Sequence, residues 1–218
     1  MHQTLSGLEL KPRNNAEVKN LVILFHGLGA DGRNLIDIAG VLNRFIPNTH
    51  FISPNAPYPY DMAPVGYQWF SRQDRSREAA VKGLKNVENT VNDFIDYQLE
   101  RFTITEKNLA VIGFSQGCMV ALHCLLRRRN PAALVVGFSG ALIGPELLDK
   151  ELLSKPPVLL IHGEDDDILP IDLMLDAYEE LSKRNIPVEK HAYPHLGHSI
   201  GQKGFELATN RIKQAFNF

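Results

Sequence analysis

The chain has only two cysteines and one tryptophan, and no apolar run approaches the roughly 18 residues of a membrane-spanning helix. Cys118 and Cys124 share one helical pattern. Their spacing corresponds to a rise of about 9 Å, beyond the ~7 Å Cα separation that a disulfide tolerates. They therefore do not bridge each other, and so few thiols suit a cytoplasmic protein. The leading segment Met1 to Leu10 lacks both a basic stretch and a long apolar core, so neither secretion nor stable membrane insertion is expected. Charge of one sign is also missing, with 23 Lys plus Arg against 25 Asp plus Glu and a net charge of −2. That balance provides no field for gathering polyanions, and a nucleic-acid partner is not expected. The one basic run, Arg127, Arg128 and Arg129, precedes Asn130 and Pro131 and reads as a solvated helix end complementing the helix dipole.

Internal repeats, low-complexity tracts and linkers are absent as well. At 218 residues the chain can bury about 70% of its unfolded surface as one domain over residues 1–218, without disulfide or metal staples. Short apolar runs alternate with amphipathic segments. The runs are Leu21 to Phe25, Thr49 to Ser53, Leu109 to Gly113, Ala133 to Phe138, Val158 to Ile161 and Pro187 to Tyr193. Most are continuously apolar, as strands covered on both faces should be. Between them, Ala80, Leu84, Val87, Val91, Phe94, Ile95 and Leu99 recur at intervals of three and four, forming one stripe of a long helix from about Glu78 to Arg101. Shorter helical patterns run over Gly32 to Phe45, Gln116 to Arg129, Ile171 to Arg184 and Gly201 to Phe216. This alternation predicts an α/β fold with a mostly parallel sheet flanked by helices. Thr4 to Leu10 is expected as an antiparallel edge strand. The stretch from Pro54 to Arg75 carries four prolines and five aromatics, so it is expected to be irregular yet packed, walling a pocket near Trp69.

The sharpest chemical signal is Gly113-Phe114-Ser115-Gln116-Gly117, a GxSxG between a strand and a helix. In that setting the serine sits on a tight turn above the sheet edge, and the Gln116 amide opens a helix whose dipole favours negative charge. A serine hydroxyl needs a base. His198 lies in the turn-rich Pro194-His195-Leu196-Gly197-His198-Ser199 after the last strand, with His195 as its rival. Pro194 and Gly197 break any helix that would align His191, His195 and His198, so a metal site is not expected. An orienting carboxylate is available from Asp165, Asp166 or Asp167 at the end of the strand Val158 to Ile161, and local pattern alone does not choose among them. The glycine-rich turn His26-Gly27-Leu28-Gly29-Ala30-Asp31-Gly32 offers Leu28 as a second oxyanion donor. It lacks both GxGxxG and a Walker lysine, so no nucleotide cofactor is expected. The chain order Ser, Asp, His is that of α/β-hydrolases.

With these residues in place the chain resembles the phospholipase/carboxylesterase family of small α/β-hydrolases, which includes bacterial carboxylesterases and acyl-protein thioesterases. The resemblance rests on HGLGADG, Pro54-Asn55-Ala56-Pro57, Trp69-Phe70, GFSQG, HGEDDDILP and GHS in this order, and spans nearly the whole chain. It implies an α/β-hydrolase sheet of about seven strands with no large cap domain, and a triad of Ser115, Asp166 and His198. It also implies oxyanion amides from Leu28 and Gln116, and no cofactor or metal. Trp69 and Leu142 are expected to line the substrate groove. The implied substrates are small-molecule carboxylic esters with short to medium acyl chains, with lysophospholipids and acyl thioesters as alternatives. Ser71 stands where acyl-protein thioesterases usually show an aspartate after the Trp-Phe pair. A homodimer contact or a lipid-facing surface at exposed aromatics around Trp69 are both compatible with the sequence. A non-catalytic ligand-binding relative would typically lack a triad member, and none is missing.

Overall fold

Continuous apolar runs become strands with two separate cores because their side chains alternate between the two faces of one sheet. A computed structural model describes residues 5–218. In chain order the elements are β1 (Gly7–Leu10), β2 (Asn20–Phe25), α1 (Arg33–Leu42), β3 (Thr49–Pro54), the short pair β4 (Tyr58–Pro59) and β5 (Tyr67–Gln68), and α2 (Arg77–Phe102). They continue with β6 (Leu109–Phe114), α3 (Gln116–Leu125), β7 (Leu134–Phe138), the one-turn α4 (Leu148–Glu151), β8 (Val158–Gly163), α5 (Asp172–Lys183), β9 (Val188–Tyr193) and α6 (Gln202–Ala215). The seven-stranded sheet has the order β1-β3-β2-β6-β7-β8-β9. Only β1 runs antiparallel to its neighbour, pairing Gly7 with Pro54 and Leu10 with Phe51. The edge strand is thus present as expected, while Thr4 lies outside the described residues.

In β2, Leu21, Ile23 and Phe25 enter the core formed with α2, α3 and α5, whereas Val22 and Leu24 enter the core under α1 and α6. Both sets are fully buried. The stripe expected on α2 is buried from Ala80 to Leu99. Its helix begins where the Ser76 hydroxyl accepts from the Ala79 amide and ends at Thr103 in the left-handed region.

Two expectations need correction. The Pro54 to Arg75 stretch is not wholly irregular, because β4 and β5 pair as a small antiparallel ribbon. The basic run is not a solvated helix end either. α3 stops at Leu125, and Arg127 and Arg128 are both buried. Arg127 donates to Glu151 on α4 and to the His123 carbonyl, while Arg128 reaches Asp96 and Asn92 on α2 and Glu106. Carboxylates on the neighbouring α2 and α4 compensate charges that would otherwise stay in water, and only Arg129 is exposed.

Among the described residues four histidines are buried, and for three of them burial shifts the pKa: His26 just after β2, His50 on β3 and His123 on α3. Burial lowers each below the ordinary value of 6.5, against the pull of the Gly27 carbonyl on His26, of Glu9 on His50 and of Glu88 on His123. A group depressed in the fold stabilises it fully above its unfolded pKa and loses that contribution as pH falls towards the folded value, because the unfolded chain takes up protons first. We therefore expect the melting temperature to fall as pH is lowered from about 7 through 6.5 towards 5, above the range where carboxylates titrate. Calorimetry across this window checks it; a melting temperature flat to pH 5 would contradict the assignment.

Candidate active site

The serine turn is possible because two glycines let strand and helix touch. A methyl group at Gly117 would overlap the carbonyl of Phe25 on β2, and one at Gly113 would overlap Gly117 and Cys118 on α3. Between them Ser115 takes φ 53° and ψ −118°, a strained conformation for a residue with a side chain. Its amide donates to the Phe138 carbonyl of β7 at 2.9 Å. The turn thereby holds the hydroxyl above the carboxyl edge of the parallel strands, where open α/β sheets present their ligand sites.

Loops leaving the carboxyl ends of β8 and β9 converge on that hydroxyl. The Glu164 amide donates to Tyr193 and the Asp165 amide to Leu196, at 2.9 and 3.0 Å, lacing the two loops together. Gly163 is the crossing point, where a side chain would strike the Leu196 carbonyl. As a result His198 lies between Ser115 and Asp166. Its Nε2 is 2.9 Å from Ser115 Oγ, and its Nδ1 is 2.8 Å from Asp166 Oδ2. The Phe114 ring supports the imidazole at a centroid distance of 4.9 Å.

Asp166 has a fully buried side chain. Burial would raise its carboxyl, but the Leu169 amide, His198 and the Ile168 amide outweigh that and hold it below the ordinary carboxylate value. Its Oδ1 accepts from Ile168 and Leu169 at 3.0 and 2.8 Å. With the carboxylate ionised, the proton of a neutral imidazole belongs on Nδ1, which leaves the Nε2 lone pair for the serine hydroxyl. Of the three adjacent aspartates, only Asp166 contacts His198; Asp165 lies by His195 instead. His195, the rival base, is exposed and near Asp165; His191 lies on β9 beside Glu189. No cluster of His, Cys, Asp or Glu able to hold a metal occurs among the described residues.

On the other side of Ser115, the Leu28 and Gln116 amides have no acceptor among the described residues, and both residues line a cleft of about 880 Å³ that includes Ser115 and His198. His26 fixes this arrangement, a role the sequence reading missed. Its Nε2 accepts from the Ala56 amide at 3.0 Å, so its Nδ1 is the donor to the Gly27 carbonyl at 2.7 Å. In a planar trans peptide the C=O and the following N–H point opposite ways, so holding the Gly27 oxygen aims the Leu28 N–H. The Gln116 side chain is a second clamp, accepting from the Trp69 amide and donating to the Phe70 carbonyl at 2.9 and 2.8 Å.

These contacts correct the expected groove lining. Trp69 is fully buried, with its indole donating to the His26 carbonyl at 2.9 Å and its ring edge-on to Phe25 at 4.8 Å. It lies beneath the oxyanion turn and is absent from the cleft wall. Leu142 lines an adjoining groove, which shares Arg72, Arg75, Met119 and Leu169 with the cleft. Phe70 is buried too, and of the five aromatics from Tyr58 to Phe70 only Tyr58 is exposed; Met62 and Ile168 are exposed apolar residues that line the cleft.

Residues 12–216 match the phospholipase/carboxylesterase family. The chain belongs to that family. Its sequence is 31% identical to acyl-protein thioesterase 1 of Kluyveromyces lactis, over 76% of this chain and 77% of that protein. It is 24% identical to esterase YpfH of Escherichia coli, over 89% and 82%. Among solved structures, the crystal structure of esterase PE8 superposes with a TM-score of 0.93 at 34% identity, covering 97% of this chain and 99% of that one.

Within this member of the family, His26→Ala would leave the Ala56 amide and the Gly27 carbonyl unpaired in the core. The loss of two buried hydrogen bonds and an imidazole's volume should cost about 2–4 kcal/mol, measurable as a lower urea midpoint. A loss below about 0.5 kcal/mol would show that His26 does not hold the turn.

Proposed function

We propose that the protein is a serine hydrolase of carboxylic esters with short to medium acyl chains, working through Ser115, His198 and Asp166. The observation that carries this reading is the continuous line of hydrogen bonds from Asp166 through His198 to Ser115, with two free amides beside the serine. His198 Nε2 removes the Ser115 proton as Oγ attacks the acyl carbonyl, and Asp166 stabilises the imidazolium that forms. The Leu28 and Gln116 amides receive the oxyanion; each such donor typically contributes about 100-fold to 1,000-fold in rate. His198 then protonates the leaving group. Water enters, gives its proton to His198, and releases the acid from the acyl-enzyme. Every proton moves between groups of the chain, substrate and water, so the cycle calls on no cofactor.

Among the described residues no inserted helical layer covers the carboxyl edge, and Leu28, Leu35, Ile38 and Met119 give the cleft an apolar wall. That wall suits an acyl chain. Thioesters share the same tetrahedral chemistry, and the likeness to a protein named an acyl-protein thioesterase supports them as second substrates. Ser71 donates to Asp61 at 2.5 Å and so keeps the loop after Trp69 in place without the usual aspartate. The two free, buried cysteines, with the Cys118 thiol pushed up to about 12 by burial, fit a reducing cytoplasm. No helix among the described residues is long and apolar enough to cross a membrane.

A fluorophosphonate probe should label the protein at Ser115, and p-nitrophenyl esters from acetate to laurate should be hydrolysed with an optimum in the shorter half. Ser115→Ala should abolish labelling and lower kcat by about 10⁴-fold or more, and Asp166→Asn by about 10³–10⁴-fold. Full activity in Ser115→Ala would overturn the reading.

A further inference from the structure

The cleft over Ser115 contains two arginines that the hydrolytic cycle does not use. Arg72 and Arg75 line it from the loop between β5 and α2, opposite a wall that is otherwise largely apolar, and both also line the adjoining groove that contains Leu142. Apart from His198, the only other titratable cleft residues are Asp167 and Tyr60, so two cations face one carboxylate. Neither guanidinium has a carboxylate oxygen within 4.0 Å among the described residues. The one acidic residue of their own loop, Asp74, accepts from the Ser76 amide at 2.8 Å and lies close enough to Arg72 to feel its charge, without forming an ion pair with it. Asp61, between β4 and β5, accepts from Ser71. By contrast the neighbouring Arg77 is paired with Glu146. Asp176 and Glu179 border the adjoining groove, outside the Ser115 cleft. Arg72 is half-buried and donates to the Arg75 carbonyl at 3.4 Å, a long contact that ties the two residues into one loop and leaves the rest of its fork free.

We propose that Arg72 and Arg75 form an anion-reading subsite of the Ser115 cleft, which selects esters bearing a second, negatively charged group, a carboxylate or phosphate, within reach of the scissile carbonyl. The proposal rests on the Ser115 hydrolase reading and deepens it. A planar guanidinium donates two parallel hydrogen bonds to a carboxylate or phosphate; Arg72, half-buried, is screened less by water than Arg75, which is exposed at the rim. Near-neutral net charge does not argue against it, because the field that matters is local to the cleft. The residual apolar wall then takes the hydrocarbon part of the same substrate. Because the anion is held equally in the Michaelis complex and the transition state, the arginines are specificity residues, and their loss should appear in KM with kcat nearly unchanged.

The test uses two matched ester pairs. On the acyl side, mono-p-nitrophenyl adipate is compared with its methyl ester; on the alcohol side, 4-carboxyphenyl butyrate with its methyl ester. The expected result is a higher kcat/KM for the anionic member of at least one pair. That anionic-to-neutral ratio should fall about tenfold or more in Arg72→Gln/Arg75→Gln, mainly through KM, and should shrink as salt is raised from about 20 mM to 500 mM. Arg44→Gln, an exposed arginine outside the cleft, should leave the ratio unchanged. Hydrolysis of both members of both pairs with no anionic preference, or a ratio unaltered in the double variant, overturns the proposal while the Ser115 reading stands. Failure of the wild-type protein to hydrolyse any of the four esters overturns both.

Discussion

The site depends on one close approach, that of the α3 backbone at Gly117 to the carbonyl of Phe25. That contact decides how deep the helix sits against β2 and β6, and so how sharply the chain turns at Ser115. A non-glycine residue at φ 53° and ψ −118° carries strain on the order of 1–3 kcal/mol. Such a conformation persists only if its surroundings over-determine it. Here the Ser115 amide is tied to β7, the Ser115 carbonyl accepts from Cys118 and Met119, and Cys118 is packed where Gly137 and Gly140 have no side chains. The strain is useful because it separates the serine's two polar functions. The hydroxyl turns up to His198, while the next amide stays unpaired at a helix start.

Beneath that turn lies a polar assembly within an apolar core. The Trp69 indole donates to the His26 carbonyl, the Trp69 amide donates to the Gln116 side chain, and His26 Nε2 accepts from the Ala56 amide, all among buried residues. Each unmade bond there would cost about 1–3 kcal/mol, so the assembly has essentially one low-energy arrangement. Its members come from the turn after β2, the start of α3 and the loop after β5, three segments distant in sequence. The two clamps act from below on the Leu28 and Gln116 amides, the oxyanion donors we propose: His26 through the Gly27–Leu28 peptide, and Gln116 by holding the loop after β5 against its own helix. Placing imidazole, indole and amide under the site gives the amides a preorganised direction.

The sheet was legible in the sequence because its signal is local. Runs such as Leu21 to Phe25 and Val158 to Ile161 are apolar at every position, and only a strand covered on both faces needs that. The serine and histidine of the proposed triad were also legible, since GxSxG and GHS follow strands. Asp166 was not separable from its neighbours by pattern alone; the resemblance selected it, and the structure supplies the reason in the Ile168 and Leu169 amides that turn back onto its Oδ1. Trp69 misled because a lone tryptophan in a proline-rich loop reads as a pocket wall. Its burial rests on Phe25, the His26 carbonyl and Gln116, contacts that no local window contains. Arg127 and Arg128 misled similarly: their partners Asp96, Glu106 and Glu151 lie 22 to 32 residues away in sequence.

The same distinction bears on the cleft charge. A whole-chain balance near zero argues against a polyanion partner but says little of a small anion, because net charge sums over surfaces that never meet a ligand. In this fold the carboxylates are spent mainly on structure: Glu151 on Arg127, Asp96 and Glu106 on Arg128, Asp149 on Arg184, and Glu9 on Arg101. Pairing of that kind removes both signs from the accessible field. What remains at the cleft is set by which charges were left without partners: Asp74, in the loop between β5 and α2, hydrogen-bonds the Ser76 amide and forms no ion pair with Arg72 or Arg75. Screening by dissolved salt limits how far such charges act, to about 8–10 Å at physiological ionic strength. A substrate lying in the cleft meets the wall that both arginines line, so the local pair governs its recognition while the distant balance does not.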